Sequence, residues 1–233
     1  PPVGPPAVAR LGFKVRLELQ TAGFYPEGGG EFTAQIDPAH PMPPLDLRHR
    51  GTLQEVEIVS MVGGLGFEVA DRQAGRALRL LREIGIAAQA QRVPVAARES
   101  KGGHVLVVAG FERTRTGHGA VGTRERAPEA VADEAVAAFR AHLGGRGAVD
   151  RHLGDQLLLP AALAAAGRPA PPPGVTPVTR FTVSAVTQHL VTTAEVIQRF
   201  LDVEIAVLGR EGEEGEVRVQ PPGARVEVVA LGR

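Results

Sequence analysis

The sequence predicts a mixed α/β fold. Segments in which apolar and polar residues alternate, as on a half-buried strand, occur in the first and last parts of the chain. Other segments carry apolar residues at helical spacing and end at glycine, as helices do. The 233 residues, 43% of them hydrophobic, are enough for a sizeable core and for one or two domains.

The first part of the chain is predicted to form strands. Residues 13–19 alternate apolar with polar side chains, and residues 31–36 and 53–62 do so as well. Residues 23–30 lie between the first two strands and end in three glycines, which permit positive φ and close backbone approach. This segment suits a tight strand connection or a phosphate cradle, and its residues favour the connection.

The middle of the chain is predicted to form a small α/β module. Asp71 is suited to cap a helix that runs to residue 84 and stops at Gly85. A buried strand follows at residues 104–109. Pro128 suits the first turn of a second helix, which runs to about residue 143.

The last third of the chain mixes both patterns. A helix is predicted for residues 149–166 with an interruption at Pro160, followed by an exposed proline-rich loop at 167–177. Thr192 and Glu195 form a capping box that predicts the start of a further helix, which runs to residue 201. Four strands are predicted in the same region, at residues 178–184, 204–208, 216–219 and 225–231.

Composition excludes several function classes. The 26 basic and 26 acidic residues balance, which argues against an indiscriminate cationic nucleic-acid binder but leaves room for a local basic groove. The chain has no cysteine, so disulfides, thiol nucleophiles and cysteine-ligated metals are excluded. No apolar run approaches the length of a membrane span, and no signal pattern is visible, so we expect a cytoplasmic protein without membrane partners.

Residues 117–122 match the glycine pattern of dinucleotide-binding loops. That pattern needs its glycines between a strand and the start of a helix, where the helix N-terminus meets the pyrophosphate. Here the next helix is predicted to begin only at Pro128. We therefore interpret residues 117–122 as a flexible turn.

Two other groups of polar residues carry possible chemistry. His152, Asp155 and Gln156 share one helix face, which suits either a metal–nucleotide site or an ordinary solvated surface. His189 follows a strand and precedes the Thr192 capping box, near backbone N–H groups that favour anions and an uncharged imidazole. A lone histidine is more often structural than catalytic, so the residues alone leave its role open.

Three blocks of the sequence, taken together, resemble the RNA 3′-terminal phosphate cyclase family. They occur in the family's order at residues 23–30, 152–160 and 189–201. Residues 119–138 also look like the family segment ahead of the second block. The resemblance covers nearly the whole chain.

The resemblance implies a large domain of repeated βαβαββ-type units, interrupted by a small inserted α/β domain. The large domain would comprise residues 1–58 and 147–233, and the insert would comprise residues 59–146. Family members carry a further segment ahead of the point where this chain starts, which contributes side chains to the ATP and RNA phosphate site. We therefore expect the given polypeptide to lack the N-terminal part of the large domain, and to be inactive if that part is absent.

The resemblance also implies a reaction, namely ATP-dependent cyclisation of an RNA 3′-phosphate through a covalent histidine–AMP intermediate. His189 matches the nucleophile. Asp155 matches a carboxylate near the triphosphate and a divalent metal, Mg²⁺ or Mn²⁺, and Gln156 lies beside it. His152 stands where the family often has a tyrosine against the adenine, and Pro2 matches a proline on the opposite face of the base.

Two other functions stay open at this stage. The first is a non-catalytic member of the family that binds RNA in ribosome biogenesis, a branch that lacks the catalytic histidine. His189 argues against it, whereas His152 in place of an aromatic residue leaves room for it. The second is an enolpyruvyl-transferase-like enzyme, whose fold uses similar repeats. It needs a basic anion pocket, and the chain has two lysines only.

Overall fold

The computed structural model describes residues 4–37, 43–123, 126–167 and 177–223. Within these ranges, strands form two four-stranded sheets and one two-stranded ribbon, so the predicted mixed α/β class is confirmed. The helices are α1 (Gly4–Ala9), α2 (Phe67–Glu83), α3 (Pro128–Gly144), α4 (Arg151–Ala166) and α5 (Gln188–Phe200). The strands are β1 (Lys14–Thr21), β2 (Glu31–Asp37), β3 (Asp46–Leu47), β4 (Leu53–Gly63), β5 (Gln89–Pro94), β6 (Gly102–Phe111), β7 (Arg115–Gly122), β8 (Thr179–Val183), β9 (Glu204–Leu208) and β10 (Gly215–Gln220).

The first sheet has the strand order β3-β8-β10-β9. β10 pairs antiparallel with β8 and β9, and the short β3 lies parallel to β8. α4 and α5 pack against each other, and their buried residues share one hydrophobic core with β8 and β10. Phe181 and Val183 of β8 and Leu157 and Leu158 of α4 are completely buried there. This core fixes the helix that carries three of the predicted site residues.

The second sheet has the order β5-β4-β6-β7 and forms its own core with α2 and α3. β6 runs antiparallel to both β4 and β7, and β5 lies parallel to β4. Ile58, Leu81, Val107 and Phe139 are buried between the sheet and the two helices. β4 belongs to this sheet from Leu53 onward. The division of the chain into domains at residues 58/59 and 146/147 stays a prediction.

β1 and β2 form an antiparallel ribbon whose connection is the glycine-rich segment. Gly28 donates its N–H to the Phe24 carbonyl at 2.8 Å, and Gly28 and Gly29 have φ of 68° and 79°. Residues with a Cβ rarely adopt that conformation. The Ala22 N–H donates to the Ala96 carbonyl at 2.7 Å, which ties the ribbon to the loop after β5. The favoured interpretation of this segment as a strand connection is confirmed.

The flexible turn predicted for residues 117–122 is wrong, because these residues lie in β7. They pair with β6 in a regular antiparallel register, for example Leu106 with Gly119. Gly119 lies against the ring of His104, where an added Cβ would come within 2.7 Å of Nε2. Gly119 makes room for the His104 side chain of the neighbouring strand. The glycines here do not form the strand-to-helix turn that a dinucleotide loop requires.

Two helices differ from their predicted limits. α2 begins at Phe67, one turn before the predicted cap Asp71, because Ala70 extends the buried face toward the N-terminus. Asp71 instead pairs with Arg92 at 2.6 Å. α4 passes through Pro160 without the predicted interruption. The turns on both sides of Pro160 are buried, and that packing outweighs the hydrogen bond that proline cannot make.

Some predictions fall outside the described residues. These are Pro2, most of the proline-rich loop and the strand expected at 225–231. Across the four described ranges, no helix has both the length and the apolar character needed to cross a membrane.

Candidate functional site

His189 lies in the first turn of α5, with its side chain exposed. β8 ends at Val183, and a short loop leads from it to the N-cap residue Thr187. The Thr187 hydroxyl accepts a hydrogen bond from the Leu190 N–H at 3.1 Å. The loop and the cap therefore place His189 just beyond the carboxyl end of a central strand.

The helix start predicted at Thr192 is wrong by about one turn. Thr187 is itself a good N-cap residue, and the buried positions Leu190, Ala194 and Ile197 continue the apolar face back to it. His189 is consequently the second residue of the helix and does not precede it. Its backbone is part of the positive helix end that the sequence prediction placed nearby.

The start of α5 has backbone N–H groups without an acceptor among the described residues. Among the hydrogen bonds of the described residues, none uses the backbone N–H of Gln188 or His189. Helices leave their first N–H groups without an intrahelical acceptor, and such groups attract phosphate or carboxylate. The first turn of α5 therefore offers donors to an anion directly beside the His189 imidazole.

The start of α4 is closed by a buried carboxylate. Asp150 is 3% exposed, and its Oδ1 accepts the N–H groups of His152 at 3.0 Å and Leu153 at 2.9 Å. Its Oδ2 accepts the Gly117 N–H of β7 at 3.3 Å. One side chain thus caps the helix and joins it to the second sheet.

The other predicted residues of α4 face outward. His152 and Gln156 are exposed and Asp155 is half-buried, while Gly154 between them is buried against β8. Because they are spaced three and four residues apart, they form one accessible face. Their roles stay predictions.

Both helix starts lie at the same end of β8. Val149, just before α4, forms a parallel bridge with Val183, and its carbonyl accepts the Ser184 N–H at 3.0 Å. α5 begins a few residues farther along the same chain segment. Within the described residues, no hydrogen bond or ion pair links His189 to the side chains of the outward α4 face.

A cavity of about 310 Å³ adjoins the start of α4, between the two sheets. The sequence prediction included His152 but missed the other polar residues that line it, namely His118, His142, Asp150, Arg151 and Ser184. Asp150 had a recognisable signal, since an aspartate immediately before a helix is a preferred N-cap. The histidines had none, because they come from β7 and α3 and meet only in the folded chain.

His118 and His142 form a buried aromatic pair. Their ring centroids are 4.9 Å apart, and His142 also makes an edge contact with Phe111. Burial lowers the pKa of His118 to about 4, and burial together with the His118 charge lowers the pKa of His142 to about 3. Neither ring nitrogen of His142 has a hydrogen-bond partner in the described part of the chain. Both rings are therefore neutral at pH 7.

Arg50 holds the loop that leads into α4. Its guanidinium donates to the carbonyls of His142 at 2.9 Å, Leu143 at 3.0 Å, Gly145 at 2.6 Å and Gly147 at 3.1 Å. These carbonyls lie at the end of α3 and just beyond it, where helical acceptors lack partners. Arg50 therefore helps to set where α4 begins.

Comparison with known proteins shows the family to which this chain belongs. A profile of RNA 3′-terminal phosphate cyclases matches residues 2–207 of the chain. The chain belongs to the RNA 3′-terminal phosphate cyclase family. Relatives with that name include the proteins of Methylococcus capsulatus, 34% identical over 209 residues, Methanopyrus kandleri, 33% over 222, and Pseudomonas fluorescens, 37% over 205.

These alignments cover 88%, 92% and 86% of this chain. They cover 55%, 59% and 54% of the respective cyclases. The chain thus spans about half the length of the curated cyclases that it matches.

The outward α4 face is compatible with the divalent metal and the nucleotide that the resemblance to the cyclase family implies. In the described ranges, no cluster of three or more histidines, aspartates or glutamates could enclose a metal ion. Mg²⁺ does not need such a cage, because it often binds one or two carboxylates together with water and substrate phosphates. The half-buried Asp155 carboxylate fits that mode of binding, and the open N–H groups of α5 fit a phosphate.

Proposed function

We propose that this chain contributes the nucleophile and part of the nucleotide site of an ATP-dependent RNA 3′-phosphate cyclase. The reaction would convert a 3′-terminal phosphate of RNA to a 2′,3′-cyclic phosphate. Membership of the cyclase family supports this class of reaction. Because the substrates are RNA ends and ATP, the cytoplasm is the expected place of action, and this location stays a prediction.

The observation that carries the proposal is the first turn of α5. An exposed imidazole stands there beside backbone N–H groups that no other described residue uses. A nucleophile that attacks a phosphoryl group needs both features, since the ring must reach phosphorus while donors stabilise charge on the phosphate oxygens. We assign the role of nucleophile to His189.

The remaining predicted residues would bind the nucleotide. We assign His152 to one face of the adenine and Pro2, which lies outside the described residues, to the other. Asp155 and Gln156 would lie toward the phosphates. Asp155 would hold a divalent cation, Mg²⁺ or Mn²⁺, which offsets phosphate charge when it is bound.

The chemistry would proceed in three transfers. His189 nitrogen forms a bond to the α-phosphorus of ATP as the bond to pyrophosphate breaks, which gives a histidine–AMP phosphoramidate. A 3′-phosphate oxygen of RNA then displaces His189 and takes the adenylyl group. Finally, the neighbouring 2′-hydroxyl attacks the RNA phosphorus, loses its proton and expels AMP, which closes the cyclic phosphate.

The test is covalent labelling of the full-length gene product with ATP carrying a labelled α-phosphate, in the presence of Mg²⁺ or Mn²⁺. We expect an acid-labile protein adduct that His189→Ala abolishes, a loss on the order of 1,000-fold or more. His49→Ala is the matched control, because His49 is exposed and belongs to no predicted site. Equal labelling of the His189→Ala protein would show that the nucleophile is another residue.

The same preparation separates the enzyme from the non-catalytic alternative. An enzyme forms the histidine–AMP adduct and converts the 3′-phosphate end of the RNA to a 2′,3′-cyclic phosphate. A binding factor would retain RNA tightly and give no adduct at any pH.

A further inference from the structure

Two arginines that are far apart in the sequence meet on the surface between α1, β3 and the turn from β6 to β7. The Arg10 guanidinium donates to the Arg113 carbonyl at 2.6 Å. The Arg113 guanidinium donates to the Asp46 carbonyl at 3.2 Å. Both side chains remain exposed, so their outer N–H groups face solvent.

Neither charge is neutralised by an acidic side chain of the described residues. The neighbouring arginines differ in this respect, since Arg48 pairs with Asp46 and Arg115 pairs with Glu55. Partial burial lowers the pKa of Arg10, and the nearby positive charge of Arg113 lowers it further. Arginine keeps its proton regardless, so the two like charges repel each other, and an anion between them would offset that repulsion.

The arginines border a pocket of about 270 Å³ with an apolar floor. We call it the arginine pocket, and its lining includes Ala7, Arg10, Leu45, Leu47, Phe111 and Arg113. Thr114 and Arg115 complete the lining, and the Arg115 guanidinium pairs with Glu55. The four apolar residues are all buried, and a floor that excludes water strengthens charge interactions above it.

The pocket is held in shape by backbone hydrogen bonds. The Phe111 N–H donates to the Thr114 carbonyl at 2.8 Å, which closes the β6–β7 turn. The Arg113 N–H donates to the Arg50 carbonyl at 3.0 Å, which ties the turn to the segment before β4. A ligand therefore meets guanidinium groups whose backbones are already fixed.

We propose that the arginine pocket binds an internal phosphodiester of the RNA strand whose 3′ end is processed. Guanidinium groups donate in a planar fork that matches phosphate oxygens, and two of them without an acidic partner beside one pocket suit a single anionic group. The identification of the strand as RNA rests on the proposed function. Because the net charge of the chain is balanced, we expect a polyanion such as RNA to bind at a local basic site of this kind.

The experiment measures anisotropy of 5′-labelled single-stranded RNA over a range of salt concentrations, without ATP. The test protein is Arg10→Gln/Arg113→Gln, which keeps donors for the two carbonyls, with Arg10→Ala/Arg113→Ala as a second variant. Arg79→Ala/Arg82→Ala removes the same charge from exposed positions on α2 and is the matched control.

Affinity decreases as salt increases, so the slope of log affinity against log salt is negative. We expect the magnitude of this slope to decrease by about 0.7 for each phosphate contact that is lost. Both pocket variants should show this fall, and the α2 control should keep the parental slope. If the pocket variants and the α2 control weaken binding equally, the loss reflects the reduced positive charge of the whole chain and not a specific site, and the proposal is wrong. Melting curves of all variants establish that each is folded.

RNA that ends in a 3′-hydroxyl separates two sources of phosphate. An internal phosphodiester predicts the same loss of slope with 3′-hydroxyl and 3′-phosphate RNA. A loss confined to 3′-phosphate RNA would assign the pocket to the terminal phosphate and overturn the proposal. Because ATP is absent, a chain that fails to form a histidine–AMP adduct still reports on the pocket, so the two failures are distinguishable.

Discussion

The starts of α4 and α5 lie at the same end of β8, yet they treat their backbone donors differently. At α4, the buried Asp150 carboxylate accepts two N–H groups of the helix and one of β7. At α5, the neutral Thr187 hydroxyl accepts one N–H and leaves others open beside His189. A carboxylate already occupies the first helix end, whereas the second can receive an anion from outside.

Under the proposed function, the start of α4 has a structural role and the start of α5 takes part in the reaction. α4 would then need a fixed origin, because the proposed nucleotide site requires His152, Asp155 and Gln156 to keep one orientation. α5 needs an open origin if His189 is to meet a phosphate. Variants of the two helix starts, and of the residues packed against them, test this division.

Asp150→Ala should be the most damaging change at either helix start. It removes the cap of α4 and leaves the Gly117 N–H without its acceptor, which together cost about 3 kcal/mol of unfolding free energy. Urea denaturation measures this loss. Asp150→Asn keeps one acceptor oxygen and should lose clearly less, and equal losses for Asn and Ala would contradict the capping role.

Replacing Gly154 by alanine tests how closely α4 lies on β8. An added Cβ would stand 2.7 Å from Val183 Cγ1, whereas at Gly75 of α2 no atom lies within 4 Å of the added Cβ. Gly75→Ala should stabilise the chain through helix propensity alone, and Gly154→Ala should be overpacked. The two unfolding free energies should differ by about 2 kcal/mol, with Gly154→Ala the less stable. Identical values would mean that α4 is free to shift.

Acid should destabilise the folded chain through His118 and His142, the two buried histidines that line the cavity beside α4. The folded pKa values of about 4 for His118 and 3 for His142 lie below the ordinary 6.5. Between those values the unfolded chain binds more protons than the folded chain. Stability should therefore be highest above pH 6.5 and should fall as the pH drops toward 4, because folding then requires both buried rings to stay unprotonated.

His142→Phe provides the control for the acid effect. Phenylalanine has a similar shape and no ring nitrogen to protonate or leave unpartnered. Denaturation at pH 7.5 and 5.5 should show a shallower pH dependence for this variant than for the parent chain. An unchanged dependence would assign the acid sensitivity to other groups.

Thr187→Ala should have the smallest effect, a loss of about 1 kcal/mol, because it removes a single capping hydrogen bond, the one that the Leu190 N–H donates. Chemical denaturation gives the value directly. Thr187→Ser retains the hydroxyl and should restore nearly all of the stability. A loss as large as that of Asp150→Ala would remove the contrast between the two helix starts.

Local patterns predicted most of the elements that carry the site. Alternation predicted β1, β2 and β4, and the helical period predicted α3 and most of α4 and α5. Short elements such as β3 and β5 were missed, because their pairing partners lie far away in the sequence. The glycines of β7 were misread as a turn for the same reason, since only the facing β6 makes them a strand.

Local features of the sequence were enough to establish the fold class and the family, and to single out His189, Asp155 and Gln156 as candidates. Those features reside in residue types and short spacings, which survive without knowledge of the fold. The folded chain was needed to show that Thr187 starts α5, that Asp150 joins α4 to β7 and that Arg10 contacts Arg113. Each of these depends on how separate elements pack or on which of two local caps packing favours, and no local pattern of residues encodes that choice.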